Sequence, residues 1–229
     1  MGEVILNGIW PEWEIIRKIG SGSFGVVYEA KKRDQLETRA AIKVISIPQN
    51  ESELQTLFAE GMTEEASRTY MENVKNDFVS EIKLMNSFKA MQNIVSIEDY
   101  AVVQKRDRIG WDIFIRMELL TPFNTYVSTH DLSESEIIKV GTDICTALEL
   151  CERNNVIHRD IKPENIFVNK YGDFKLGDFG IARKLENVSG GLSQKGSFNY
   201  MAPEVVKGSR YDNRVDIYSL GLEIGRAHV

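Results

Sequence analysis

Between Val156 and Phe167 the chain reads VIHRDIKPENIF, which sets His158, Arg159, Asp160, Lys162, Glu164 and Asn165 between apolar ends. A solvated loop has no use for the flanking Val156-Ile157 and Ile166-Phe167, so these polar groups belong at or near a core. Burying charge without partners costs several kcal/mol or more. The cluster must therefore pair with itself, with a metal or with a ligand. Any fold open to this chain has to supply that partner here.

With 229 residues the chain can form one large domain or two small lobes, each with a real core. A net charge of −6 argues against nonspecific nucleic-acid binding, which rests on Lys and Arg neutralising phosphates. It leaves room for a small anionic ligand held by a few placed cations. No run of about 18 apolar residues is present, so no membrane-spanning helix is expected. The start, MGEVILNGIW, reads as neither a secretory signal nor, with Leu6 where Ser or Thr is wanted, a myristoylation site. Cys145 and Cys151 fall on different faces of one helical stretch and read as reduced core thiols rather than a disulfide or zinc site. These features point to a cytoplasmic domain.

The first part of the chain is strand-like. WEIIRKIG, VVYEAKK and RAAIKVISI are rich in β-branched residues, with Asp34 to Glu37 as a hairpin between the last two. Asn50 to about Tyr70 is polar and acidic and reads as a surface insertion or short helix. A longer helix follows, its apolar stripe formed by Val74, Phe78, Ile82, Met85 and Phe88. Strands return at IVSIEDYAVVQK and WDIFIRMEL. Ser133 and Glu136 then make a capping box that opens a helix through Asn154.

Several short patterns carry possible chemistry, and each has a bland reading beside it. GSGSFGVV places Gly20, Gly22 and Gly25 between two strands, where missing Cβ atoms let a backbone approach a phosphate. By itself this is a glycine-rich hairpin; a dinucleotide fold would need a helix to follow. Lys43, in AAIK, is expected half buried and in want of a counter-charge, unless it snorkels to water. Glu81 is the best-placed partner, with Glu72 and Glu65 as fallbacks. Asp178, in KLGDFG, stands at a strand end where a metal ligand or a plain turn acid would serve.

These elements together, in this order and over nearly the whole chain, resemble the protein-kinase family, specifically its eukaryotic-like Ser/Thr members found in bacteria. The matching set is the glycine loop, Lys43 in its strand, Glu81 in its helix, the His158-Arg159-Asp160 loop, Asp178-Phe179-Gly180 and Ala202-Pro203-Glu204. The resemblance implies an α+β bilobal fold, with a β-rich N-lobe over residues 1–118 and a partial helical C-lobe over 119–222. It implies that Asp160 is the catalytic base, that Lys162 neutralises the γ-phosphate, and that Asn165 and Asp178 hold Mg2+ on ATP. Lys43, oriented by Glu81, would hold the α- and β-phosphates beneath Gly20, Ser21, Gly22, Ser23, Phe24 and Gly25. Adenine would lie between Val27 and Ala41 above and Phe167 below, against Met117, the Glu118 carbonyl and the Leu120 amide. His158 and Phe179 would stack in an apolar spine, and Asp216 would anchor the catalytic-loop backbone.

The resemblance also bears on specificity and control. Lys162 in DIKPEN is the Ser/Thr form, and Ser197 in GSFNYMAPE would bond Asp160 and Lys162. Protein serine and threonine hydroxyls are then the expected acceptors. Arg159 implies control by an activation-loop phosphate, for which Ser189 and Ser193 are candidates, with dimerisation for trans-autophosphorylation. The alternatives are a pseudokinase that binds nucleotide without transfer, a small-molecule kinase of the same fold, or a fragment inactive through truncation. The last seven residues, EIGRAHV, fit nothing in the pattern and read back as a sequencing-adapter sequence. Residues 223–229 are accordingly expected to be non-native, with the family's last helices missing; resequencing the locus tests this.

Overall fold

In the computed structural model, which describes residues 6, 8–22, 25–178 and 200–227, the β-branched runs become five strands. These are β1 (Trp13–Gly22), β2 (Gly25–Lys32), β3 (Arg39–Ile47), β4 (Ile97–Gln104) and β5 (Trp111–Glu118). Every pairing is antiparallel and the order is β1-β2-β3-β5-β4. Side chains alternate across such a sheet, so its two faces carry different sets. One face packs Ala30, Ala40, Ile42 and Phe114 beneath Leu6, Trp10 and Trp13. On β3 the opposite set, Ala41, Lys43 and Ile45, is buried as well. The β2–β3 turn is held by Asp34, whose carboxylate accepts the Leu36 N–H at 3.1 Å and the Thr38 hydroxyl at 3.1 Å.

The polar stretch after β3 is mostly helical rather than irregular. Helix α1 (Glu51–Ala59) starts where the Asn50 side chain accepts the Glu53 N–H at 3.1 Å. Helix α2 (Glu64–Ser87) starts where Thr63 accepts the Ala66 N–H at 3.2 Å, well before the apolar stripe begins. Met71, Val74, Phe78, Ile82 and Met85 are its buried stripe, and Phe88 caps it. These elements form one unit, Met1–Lys89 with Ser96–Leu119.

The second unit, Ala90–Val95 with Leu120–Val229, is mainly helical. It contains α3 (Phe123–Thr129), α4 (Glu134–Arg153), α5 (Pro203–Val206) and α6 (Arg214–Ala227). A small antiparallel sheet is made of β6 (Thr121–Pro122), β7 (Ile166–Val168) and β8 (Phe174–Leu176). The Ser133–Glu136 capping box forms as expected and starts α4. Val140, Ile144, Ala147, Leu148 and Cys151 are its buried face, set against β8 and α6. A Cβ at Gly141 would lie 3.1 Å from Ile224 Cδ1, so the small residue lets α6 approach closely. The core-thiol reading holds for Cys151 and fails for Cys145, which is exposed because it follows the core residue Ile144 by one position on the helix. Among the described residues no helix is long and apolar enough to cross a membrane.

Candidate active site

In the first unit, Lys43 lies on the central strand β3, paired with Val27 on β2 and Ile115 on β5. It is buried, at 9% exposure, rather than half buried as its sequence context suggests. Glu81 sits on α2 beside the core residues Phe78 and Ile82, with its Oε2 atom buried, and α2 packs against β3. Ala41 is buried beside Met117, its cross-strand neighbour, while Val27 faces Lys43 from β2. Glu118 accepts the Ser96 N–H on its side chain at 2.7 Å, and Leu120 begins the longer segment of the second unit.

The glycines between β1 and β2 differ in what they serve. Gly25 has φ +148°, and a Cβ there would meet the Val44 carbonyl oxygen at 2.1 Å. The sheet itself therefore requires glycine at this position, whatever binds above it. Gly20 would place a Cβ 3.8 Å from Val27, an ordinary contact. Ser21 is exposed. Ser23 and Phe24 lie outside the described residues, as do Phe179, Gly180, Ser189, Ser193 and Ser197.

In the second unit, the charged cluster from His158 to Asn165 is bonded into one device. Asp216, in the first turn of α6, accepts the His158 and Arg159 backbone N–H groups at 2.7 Å each. Arg159 takes φ +66°, a conformation that costs a non-glycine residue and that this carboxylate clamp sustains. Asp160 Oδ2 receives Lys162 Nζ at 2.7 Å and Asn165 Nδ2 at 2.8 Å. The same Asn165 amide donates to the Asp160 carbonyl at 2.8 Å. Among the described residues nothing donates to Asp160 Oδ1.

Gly177, not singled out from sequence, joins this loop to Asp178. Its N–H reaches the Asn165 carbonyl at 2.9 Å and its carbonyl lies 3.0 Å from His158 Nε2. A Cβ there would stand 2.8 Å from Val95 and 2.9 Å from the Phe167 ring, so only glycine fits without movement. His158, expected in an apolar spine, is also hydrogen-bonded here. Asp178 follows, half-buried and with φ +55°. Phe167 lies on β7 opposite Pro122 and Lys175.

The donor set suits a hard cation. With its amino group spent on Asp160, Asn165 has its oxygen left to offer, and Asp178 adds a carboxylate. Among the described residues no cluster of three or more His, Cys, Asp or Glu could cage a metal. Magnesium is commonly held by one or two protein oxygens together with substrate phosphates, and these residues fit that description.

A family model described as the protein kinase domain matches residues 13–226. The chain belongs to the protein kinase domain family. A serine/threonine-protein kinase of Arabidopsis thaliana is 27% identical over 92% of the chain and 40% of its own length. Proteins named as probable serine/threonine-protein kinases resemble it too. That of Clostridium perfringens is 29% identical over 97% of the chain and 29% of its own length. That of Lactococcus lactis is 28% identical over 92% and 30%. The kinase domain thus spans well under half of these relatives.

A buried acid on β2 went unnoticed in the sequence. Glu29 is 2% exposed and holds Arg17 of β1 at 2.8 Å and Arg39 of β3 at 2.5 Å. The signal available was an acid in a strand flanked by strands carrying arginine. The pairing register needed to use it is hidden, because β1 departs from regular register on both sides of Arg17–Lys18.

Proposed function

We propose that this kinase domain transfers the γ-phosphoryl group of ATP to serine or threonine hydroxyls of protein substrates. The observation that carries the reading is the state of Asp160. One of its carboxylate oxygens is fixed by Lys162 and Asn165, at 2.7 and 2.8 Å. Among the described residues no donor reaches the other, which is the oxygen proposed to accept the proton. A base held in this way meets the geometric need of general-base catalysis, in which the acceptor must be aimed before its basicity matters. Lys162, on the same carboxylate, brings a positive charge to the point where phosphate negative charge would gather.

ATP with Mg2+, when bound, supplies the phosphoryl group and the cation that offsets its charge. Asn165 and Asp178 would hold the cation. Lys43 with Glu81 would hold the phosphates, beneath the loop running from Gly20 to Gly25. Val27, Ala41, Met117, Glu118, Leu120 and Phe167 would receive adenine. The acceptor class rests on Lys162 and on the names of the relatives. Control through Ser189 or Ser193, trans-autophosphorylation in a dimer and a cytoplasmic location belong to the same proposal. Replacing both serines with alanine should lower activity after preincubation with ATP.

The test is transfer of label from γ-labelled ATP to a serine-rich acceptor protein by the full chain. Phosphoserine or phosphothreonine should form, and Asp160→Asn should reduce the rate about 100- to 10,000-fold, the usual worth of a general base. Nucleotide binding with no transfer would instead make this a pseudokinase-type module. Label appearing only on small alcohols would make it a small-molecule kinase.

A further inference from the structure

Glu29 lies at the base of the glycine loop, on the face of the sheet that carries Lys43. Directly paired residues of an antiparallel sheet share a face, and so do residues two apart. Val27 pairs with Lys43, and Glu29 pairs with Ala41 on one side and Arg17 on the other. Val27, Glu29, Arg17, Ala41 and Lys43 are therefore on one face. There the carboxylate of Glu29 joins three strands, taking Arg17 Nε on Oε2 at 2.8 Å and Arg39 Nη1 on Oε1 at 2.5 Å. Both arginines are largely exposed, while the acid is buried. The Arg39 hydrogen bond, the largest influence, holds the Glu29 carboxyl below its ordinary range.

The position matters because β1 is irregular here. Its register against β2 shifts between Ile15 and Arg17 and again between Lys18 and Gly20. Each shift leaves one residue without a direct partner, and Ile16 and Ile19 are accordingly exposed. Arg17–Lys18 is thus a short paired segment with a register shift on either side, and a one-residue slip there would turn the side chains beyond it to the other face. Arg17–Glu29 is the charged pair inside that segment. Gly20, the first residue of the loop, follows three positions later.

We propose that Glu29 is a positioning residue: through Arg17 it fixes the register of β1 and so the height of the glycine loop over the phosphates of bound ATP. This rests on the kinase reading above. Glu29 touches no substrate and acts through the strand. Losing it should weaken nucleotide binding and leave the chemistry at Asp160 intact, a rise in KM for ATP without a matching fall in kcat.

The experiment compares wild type, Glu29→Ala, Glu29→Gln, Arg17→Ala and the Glu29→Ala/Arg17→Ala pair in the full chain. It reads ATP KM, kcat and the affinity for a non-hydrolysable ATP analogue, well below each melting temperature. Glu29→Ala should raise KM about tenfold with kcat within about twofold, and Glu29→Gln should recover part of the loss. Arg17→Ala, at an exposed position, should fold and show the same split even if Glu29→Ala does not. The double variant should be no worse than the worse single, as for residues acting as one unit. Unchanged analogue affinity in Arg17→Ala, beside a wild type that binds, overturns the proposal alone. Additive effects of the two single variants overturn it as well. A wild type that binds no analogue overturns the kinase reading and the proposal together.

Discussion

The His158 imidazole is fully buried and bonded at both nitrogens, with the Asp160 N–H 3.3 Å from Nδ1 and the Gly177 carbonyl 3.0 Å from Nε2. A backbone N–H needs an acceptor and a carbonyl needs a donor, so the neutral ring protonated on Nε2 is the form that satisfies both. Burial, the largest influence, pushes this histidine below its ordinary value of 6.5, against the opposing pull of Asp216. The unfolded chain then takes up a proton that the folded chain refuses. Stability from this residue is complete above about pH 6.5 and is lost as pH falls towards the lower folded value, by at most about 1.4 kcal/mol per pH unit. Urea midpoints should therefore fall more steeply from pH 7 to 5 in the wild type than in His158→Gln, whose amide does not titrate. Parallel profiles would refute this. The two cysteines differ for a related reason. Burial pushes the Cys151 thiol up to about 12, while Cys145 is exposed. A thiol reagent should modify Cys145 in the native protein and reach Cys151 only on unfolding; equal native rates would contradict the burial.

At the level of elements, the glycine loop separates two kinds of glycine that look alike in sequence. At Gly25 an added Cβ meets backbone, the Val44 carbonyl at 2.1 Å, and no side-chain rotation relieves it. At Gly20 the added atom makes an ordinary 3.8 Å contact. Gly25→Ala should therefore cost about 1–3 kcal/mol from backbone strain alone, and Gly20→Ala far less. Denaturant unfolding checks this, and equal losses would show that the sheet does not impose the difference. The strands and α4 were legible because β-branched runs, hydrophobic spacing and a capping box all agreed. Helix α1 was less so, because it buries no residue and leaves no apolar stripe to read. Its start could have been found from Asn50 with Glu53 three positions on, a pattern that marks helix beginnings. The shifts in β1 were hidden for the opposite reason: period-two reading assumes the very register they break.

For the molecule as a whole, the charged cluster was legible because polar residues between apolar ends demand partners. What the pattern could not supply was how far away those partners lie. Asp216 is held to His158 across 58 positions of chain, and Gly177 reaches it across 19. Only family resemblance pointed to the first, and nothing pointed to the second. If MgATP is the ligand, its binding to the folded chain should stabilise that chain by mass action. At a hundredfold excess over Kd that amounts to about 2.7 kcal/mol, or about 5–10 °C in Tm for a chain of this size. Because the cation is the part assigned to Asn165 and Asp178, ATP with a chelator should give a smaller shift than ATP with Mg2+. Asp178→Asn should remove that difference while keeping the metal-free shift, since Lys43 and the loop above it are untouched. A thermal-denaturation series decides the matter. An identical shift with and without Mg2+ in the wild type would take the metal away from Asp178, and no shift under either condition would take the nucleotide away from Lys43.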